Sequence, residues 1–97
     1  MKSIVVIPTY NESKNIIKII DKIFTVHSTI EILVVDDNSP DGTGELVNQK
    51  MQETDRLHII EREGKMGLGT AYLAGFKYAL DRGYDYIMEI DGRAHPP

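Results

Sequence analysis

The chain has 97 residues, 41% of them hydrophobic and 27% charged, which suits one small domain with a single core. Eleven Lys and Arg against 15 Asp and Glu leave a formal charge of -4, which argues against duplex nucleic acid or an anionic membrane as the main partner. There is no cysteine, so disulfide frameworks, thiol nucleophiles and thiolate zinc sites are excluded. No apolar run exceeds four residues, far below what a bilayer span requires, and residues 1–3 enter a strand-like segment with no secretory pattern. A cytoplasmic location is the expectation.

Residues 3–7 (SIVVI) read as the first strand, and residues 30–35 (IEILVV) as the second. Continuous apolar runs of this kind suit strands buried on both faces of a parallel sheet. Between them Ile16, Ile19, Ile20 and Ile23 recur at helical spacing behind the cap candidates Asn11 and Ser13. Thr43 is the cap candidate for a second helix carrying Leu46, Val47 and Met51. A third strand follows at residues 57–61 (LHIIE). The third helix is expected to bury Leu68, Tyr72, Gly75, Phe76 and Ala79 and to stop at Arg82-Gly83, before a fourth strand at residues 86–90 (YIMEI). The order β-α-β-α-β-α-β with right-handed crossovers predicts an α/β, Rossmann-like parallel sheet with helices on both faces. Only residues 91–97 follow the fourth strand, and the chain is expected to be a single, truncated piece of a larger domain.

In open parallel sheets ligands bind beyond the carboxyl ends of the strands, where the distinctive segments here fall: PTYNES at 8–13, DDNSPDGT at 36–43, REGKMGLGT at 62–70 and DGRAHPP at 91–97. Loops at the opposite edge carry no such clusters. Tyr10 can stack on a planar base and Glu12 can accept hydrogen bonds from a ligand, or the segment is a Pro-set turn into a helix. Asp36 and Asp37 are adjacent carboxylates that repel and need a cation or N–H donors, one facing a ligand and one capping local backbone. Residues 38–42 read as turn chemistry. Gly64, Gly67 and Gly69 match neither the dinucleotide fingerprint nor a P-loop, although free N–H groups beside Arg62 and Lys65 suit a diphosphate. Asp91 can take part in binding a divalent metal through oxygen. His27, His58 and His95 show no ligand spacing and read as surface or packing residues. A phospho-receiver reading fails on position, because the acidic pair follows the second strand instead of the first.

Together VVIPTYNES at 5–13, VVDDNSPDGT at 34–43, REGKMGLGTAYLAGF at 62–76 and GYDYIMEID at 83–91 resemble family 2 glycosyltransferases of the GT-A fold. Within them the resemblance is to the dolichol-phosphate (polyprenol-phosphate) mannosyltransferases. It implies the N-terminal, nucleotide-binding half of a GT-A domain and a GDP-mannose donor. Pro8, Tyr10 and Glu12 would line the nucleotide pocket, the Val35 backbone and Asp37 would contact the base, and Asp36 would organise the loop. Arg62 and Lys65 would lie near the phosphates. Asp91 would be the catalytic carboxylate that binds Mg2+ or Mn2+, as the first acid of the family's D-x-D. Here the segment reads Asp91-Gly92-Arg93 and is one residue short before its His-Pro pair, so Gly92 and Arg93 would instead sit against the donor. The resemblance further implies inverting transfer to a polyprenyl or dolichyl phosphate with peripheral contact at the cytoplasmic membrane face. The alternative is a non-catalytic nucleotide-sugar-binding piece.

Overall fold

The computed structural model describes residues 1–64 and 66–90. Strands β1 (Ser3–Thr9), β2 (Glu31–Asp36), β3 (Leu57–Glu61) and β4 (Tyr86–Glu89) alternate with helices α1 (Ile16–Val26), α2 (Thr43–Met51) and α3 (Leu68–Asp81). All strand pairs are parallel, in the order β3-β2-β1-β4. The chain thus steps outward from β1 to β3, then returns across the sheet to the far side of β1. That reversal puts a topological switch point between β1 and β4, the place where such sheets open a crevice.

The same reversal decides which face each helix covers. Val5, Ile7, Ile32 and Val34 share one cluster with Ile16 and Ile20 of α1 and Val47 of α2. Their strand neighbours Ile4, Val6, Leu33 and Val35 point the other way, onto Ala71 and Ala79 of α3. With period-two alternation in each strand, both sets are apolar because both faces are covered.

The helix starts and one helix face differ from the sequence expectation. Helix α1 begins behind Asn15, not at Asn11 or Ser13, and Gly42 rather than Thr43 precedes α2, in neither case with a side-chain cap bond. The Thr43 hydroxyl and the Asn11 and Ser13 backbone N–H groups are engaged in the loops described below. On α3 the buried line is Ala71, Gly75 and Ala79, while Leu68 and Phe76 are exposed. Small residues let this helix lie very close to the sheet: a Cβ added at Gly75 would sit 2.4 Å from Val6 Cγ1. The helix does end at Arg82, with Gly83 at φ 73°.

At the amino edge of the sheet, Glu31 of β2 ties β3 and the segment between α3 and β4 together. Its Oε1 accepts from the Tyr84 hydroxyl at 2.7 Å and lies 2.7 Å from His58 Nε2. Partial burial opposes ionisation of Glu31, but the bonds from Tyr84 and His58 outweigh it and hold its carboxyl below the usual range. Burial, followed by the bond to Glu31, pushes the Tyr84 phenol up.

Candidate functional site

In register, Thr9, Asp36 and Glu61 stand abreast at the carboxyl ends of β1, β2 and β3. Asp36 is 2% exposed. Its Oδ1 accepts from the hydroxyls of Thr9 and Ser39, each at 2.6 Å, and its Oδ2 from the Ser39 N–H at 3.0 Å. Hydroxyls and an amide, not a cation, therefore offset this carboxylate, and they bend the chain immediately after β2.

The loops after β1 and β2 are stitched together by three consecutive backbone donors. Asn11 N–H donates to Ser39 Oγ at 2.9 Å, Glu12 N–H to Thr43 Oγ1 at 3.0 Å, and Ser13 N–H to Asp41 Oδ2 at 3.0 Å. Asp41 Oδ1 in turn accepts from Thr43 Oγ1 at 2.6 Å and from its N–H at 3.1 Å. Slight burial raises the Asp41 carboxyl pKa, but these donors prevail and hold it at about 2. Asn11 and Asn38 take φ near 55°, a region Asn tolerates in turns. The stitching fixes where Tyr10 and Glu12 leave the backbone. Glu12 is 8% exposed and Tyr10 is exposed.

Asp37 is offset differently. Arg62, beyond β3, forks onto it with Nε to Oδ1 at 2.6 Å and Nη2 to Oδ2 at 2.9 Å, and the Met66 N–H adds 3.1 Å to Oδ2. Both side chains of this pair are about nine-tenths buried. The same guanidinium donates to Thr70 Oγ1 at 2.9 Å and to the Gly67 carbonyl at 3.2 Å. Gly67, at φ 94°, makes the turn that lets α3 start there. One arginine thus holds the end of β2, the glycine-rich loop and the first turn of α3 together.

The structure therefore gathers Pro8, Tyr10, Glu12, Val35, Asp36, Asp37 and Arg62 on one sheet edge. Pro8 pairs with Val35 beyond the last β1–β4 partners. The Val35 side chain is wholly buried on the α3 side, so what it can offer a ligand is backbone. Lys65, Asp91, Gly92 and Arg93 lie outside the described residues. In the sequence Ser39, Asp41 and Thr43 read as turn and cap chemistry and Thr9 carries no assignment, yet the four build the scaffold. The available signal was several hydroxyls and carboxylates flanking two loops on one sheet edge. Among the described residues, no group of three or more His, Asp or Glu side chains is placed to hold a metal. Nor is any described helix long and apolar enough to cross a membrane.

The chain is similar to known proteins over nearly its whole length. A match to glycosyl transferase family 2 runs over residues 4–92. Polyprenol monophosphomannose synthase of Mycolicibacterium smegmatis is 45% identical over 99% of this chain and 37% of its own length. Undecaprenyl-phosphate mannosyltransferase of Micrococcus luteus is 40% identical over 100% of this chain and 40% of its own. The chain therefore spans about two fifths of these curated relatives. Among solved structures, the mannosyltransferase PcManGT of Pyrobaculum calidifontis, in complex with GDP-Man and Mn2+, superposes with a TM-score of 0.82 at 26% identity, over 99% of this chain and 28% of that one. S. aureus TarS, residues 1–349, gives 0.80 at 27% identity, over 95% and 27%.

Proposed function

The chain belongs to glycosyl transferase family 2, and from that premise we propose that it is the donor-binding part of a polyprenyl-phosphate mannosyltransferase, holding GDP-mannose at the carboxyl ends of β1 and β2. The observation that carries this reading is the rigid coupling of two loops beside the switch point, with Asn11, Glu12 and Ser13 N–H groups received by Ser39, Thr43 and Asp41. Such coupling preorganises Tyr10 and Glu12 without any ligand, which lowers the ordering cost of binding. GDP-mannose is the donor this reading takes, because two curated relatives are named for mannose transfer and one structural neighbour holds GDP-Man.

Tyr10 offers a face for the base and Glu12 and Asp37 offer acceptors for N–H or ribose hydroxyl donors. Transfer to a lipid phosphate inverts the anomeric carbon, as the nucleoside diphosphate leaves from the opposite face. The acceptor phosphate is already ionised near neutrality, so positioning and neutralisation of the leaving charge carry the reaction more than a general base does. Mg2+ or Mn2+ would be held at Asp91 and would neutralise charge on the departing diphosphate; among the described residues no cluster of carboxylates or histidines fits a metal. The protein would act at the cytoplasmic membrane face.

Calorimetric titration with GDP-mannose, with and without Mn2+, tests donor recognition, and mannose transfer to a polyprenyl phosphate tests the activity. Saturable binding that Asp37→Asn weakens at least tenfold is expected. A folded protein that binds no GDP-mannose would refute the reading. The second reading, a binding-only piece, is favoured by Arg93 standing where the family has its second carboxylate, and binding without any transfer would select it.

A further inference from the structure

A carboxylate offers about four acceptor positions, two on each oxygen. Described residues fill three at Asp37: one on Oδ1 by Arg62 Nε, and two on Oδ2 by Arg62 Nη2 and the Met66 N–H. Among the described residues nothing fills the fourth, on Oδ1. Nucleobases differ in what they bring to such a group. Uracil presents one N–H, flanked by two carbonyls, whereas guanine presents N1–H and N2–H side by side and needs both oxygens of a carboxylate at once.

We infer that Arg62 is a specificity-determining residue of the nucleotide pocket: its fork on Asp37 admits a base with one N–H donor and must open before a base with two adjacent N–H donors can bind. The inference rests on the donor-binding reading above. Opening is feasible because the guanidinium has a second set of partners, Thr70 Oγ1 and the Gly67 carbonyl, on which it can pivot while leaving Asp37. It does not occur for nothing, because both partners are about nine-tenths buried and water is poorly placed to replace the lost donors. A guanine edge supplies two replacement donors, and a uracil edge only one. Guanine binding is therefore coupled to release of the fork, and uracil binding leaves it closed.

The test compares GDP and UDP by calorimetry on the intact protein and on Arg62→Lys, which keeps the charge but cannot fork. The GDP-to-UDP affinity ratio is expected to rise about tenfold in the variant, because the competing bond is gone. A folded variant with the wild-type ratio overturns the inference, including when both affinities fall equally, as loss of a diphosphate contact would produce. A second measurement needs no variant: the Arg62 Nε–H resonance should move on adding GDP and stay in place on adding UDP. Equal responses to the two overturn the inference. Failure of the folded wild-type protein to bind either nucleotide overturns the donor-binding reading, and this one with it.

Discussion

Gly75→Ala sets two effects of opposite sign against each other. Alanine in a helix interior gains about 1 kcal/mol over glycine. Against this, the new Cβ would lie 2.4 Å from Val6 Cγ1 and 2.8 Å from Cγ2, where carbon atoms prefer about 3.5–4.0 Å. Relief requires α3 to rise from the sheet by about 1 Å, because Val6 is 1% exposed and has nowhere to go. Overpacking of this kind costs about 1–3 kcal/mol and here belongs at the upper end. The net loss is therefore about 2 kcal/mol, which for a chain of this size lowers Tm by about 10 °C. Urea unfolding monitored by circular dichroism measures it. Val6→Ala removes both clashing methyls, so the double variant should be more stable than the two single effects summed, by about 1 kcal/mol or more. Gly69→Ala, with nothing within 4 Å of its Cβ, is the control and should be neutral or slightly stabilising. Donor affinity should fall in Gly75→Ala alone, since Thr70 in the first turn of α3 positions Arg62. Wild-type or higher stability of Gly75→Ala would refute the close-packing argument.

Three further outcomes are expected. Asp36→Ala strands the Thr9 and Ser39 hydroxyls and should cost about 3 kcal/mol or more in chemical denaturation. Asp41 has a carboxyl depressed to about 2 in the folded state against an ordinary 3.8, so its contribution is present above pH 4 and is lost as pH falls toward 2. Asp41→Asn should accordingly flatten that part of the acid unfolding profile, and an unchanged profile would contradict the assignment. Tyr84→Phe removes one donor from Glu31 and should cost about 1 kcal/mol, seen as earlier exchange of β4 amides. Because Glu31 is held below its ordinary value, loss of that donor also makes the protein less sensitive to acid through the carboxylate range.

Local signals were sufficient where a residue's neighbours in sequence are also its neighbours in space. The apolar runs of β1 and β2, the 3.6-residue isoleucine spacing of α1 and the left-handed glycine stop after α3 are all local in the chain. The cap positions differ because the backbone N–H groups of Asn11, Glu12 and Ser13 bond Ser39, Thr43 and Asp41 on the other loop, 28 to 31 residues away, and the Thr43 hydroxyl donates to Asp41 instead of capping α2. On α3 the expected Gly75 and Ala79 are buried, but Leu68 and Phe76 are not. The distance between helix and sheet selected small residues instead, leaving Phe76 outside.

The adjacent carboxylates show where the division falls. Asp36-Asp37 at a strand end already implies two negative charges that need offsetting at the sheet's ligand-binding edge. How they are offset depends on contacts distant in the chain. Parallel register puts Thr9 beside Asp36, and the path through β3 brings Arg62 onto Asp37, so one acid became a buried scaffold and its neighbour half of an ion pair. Strand order was likewise undetermined by the chain's own pattern, since an apolar strand such as β1 can accept β4 on its free edge or leave it to β3. Alternation reports that both faces of a strand are covered, and it carries no information about which strand lies at its side.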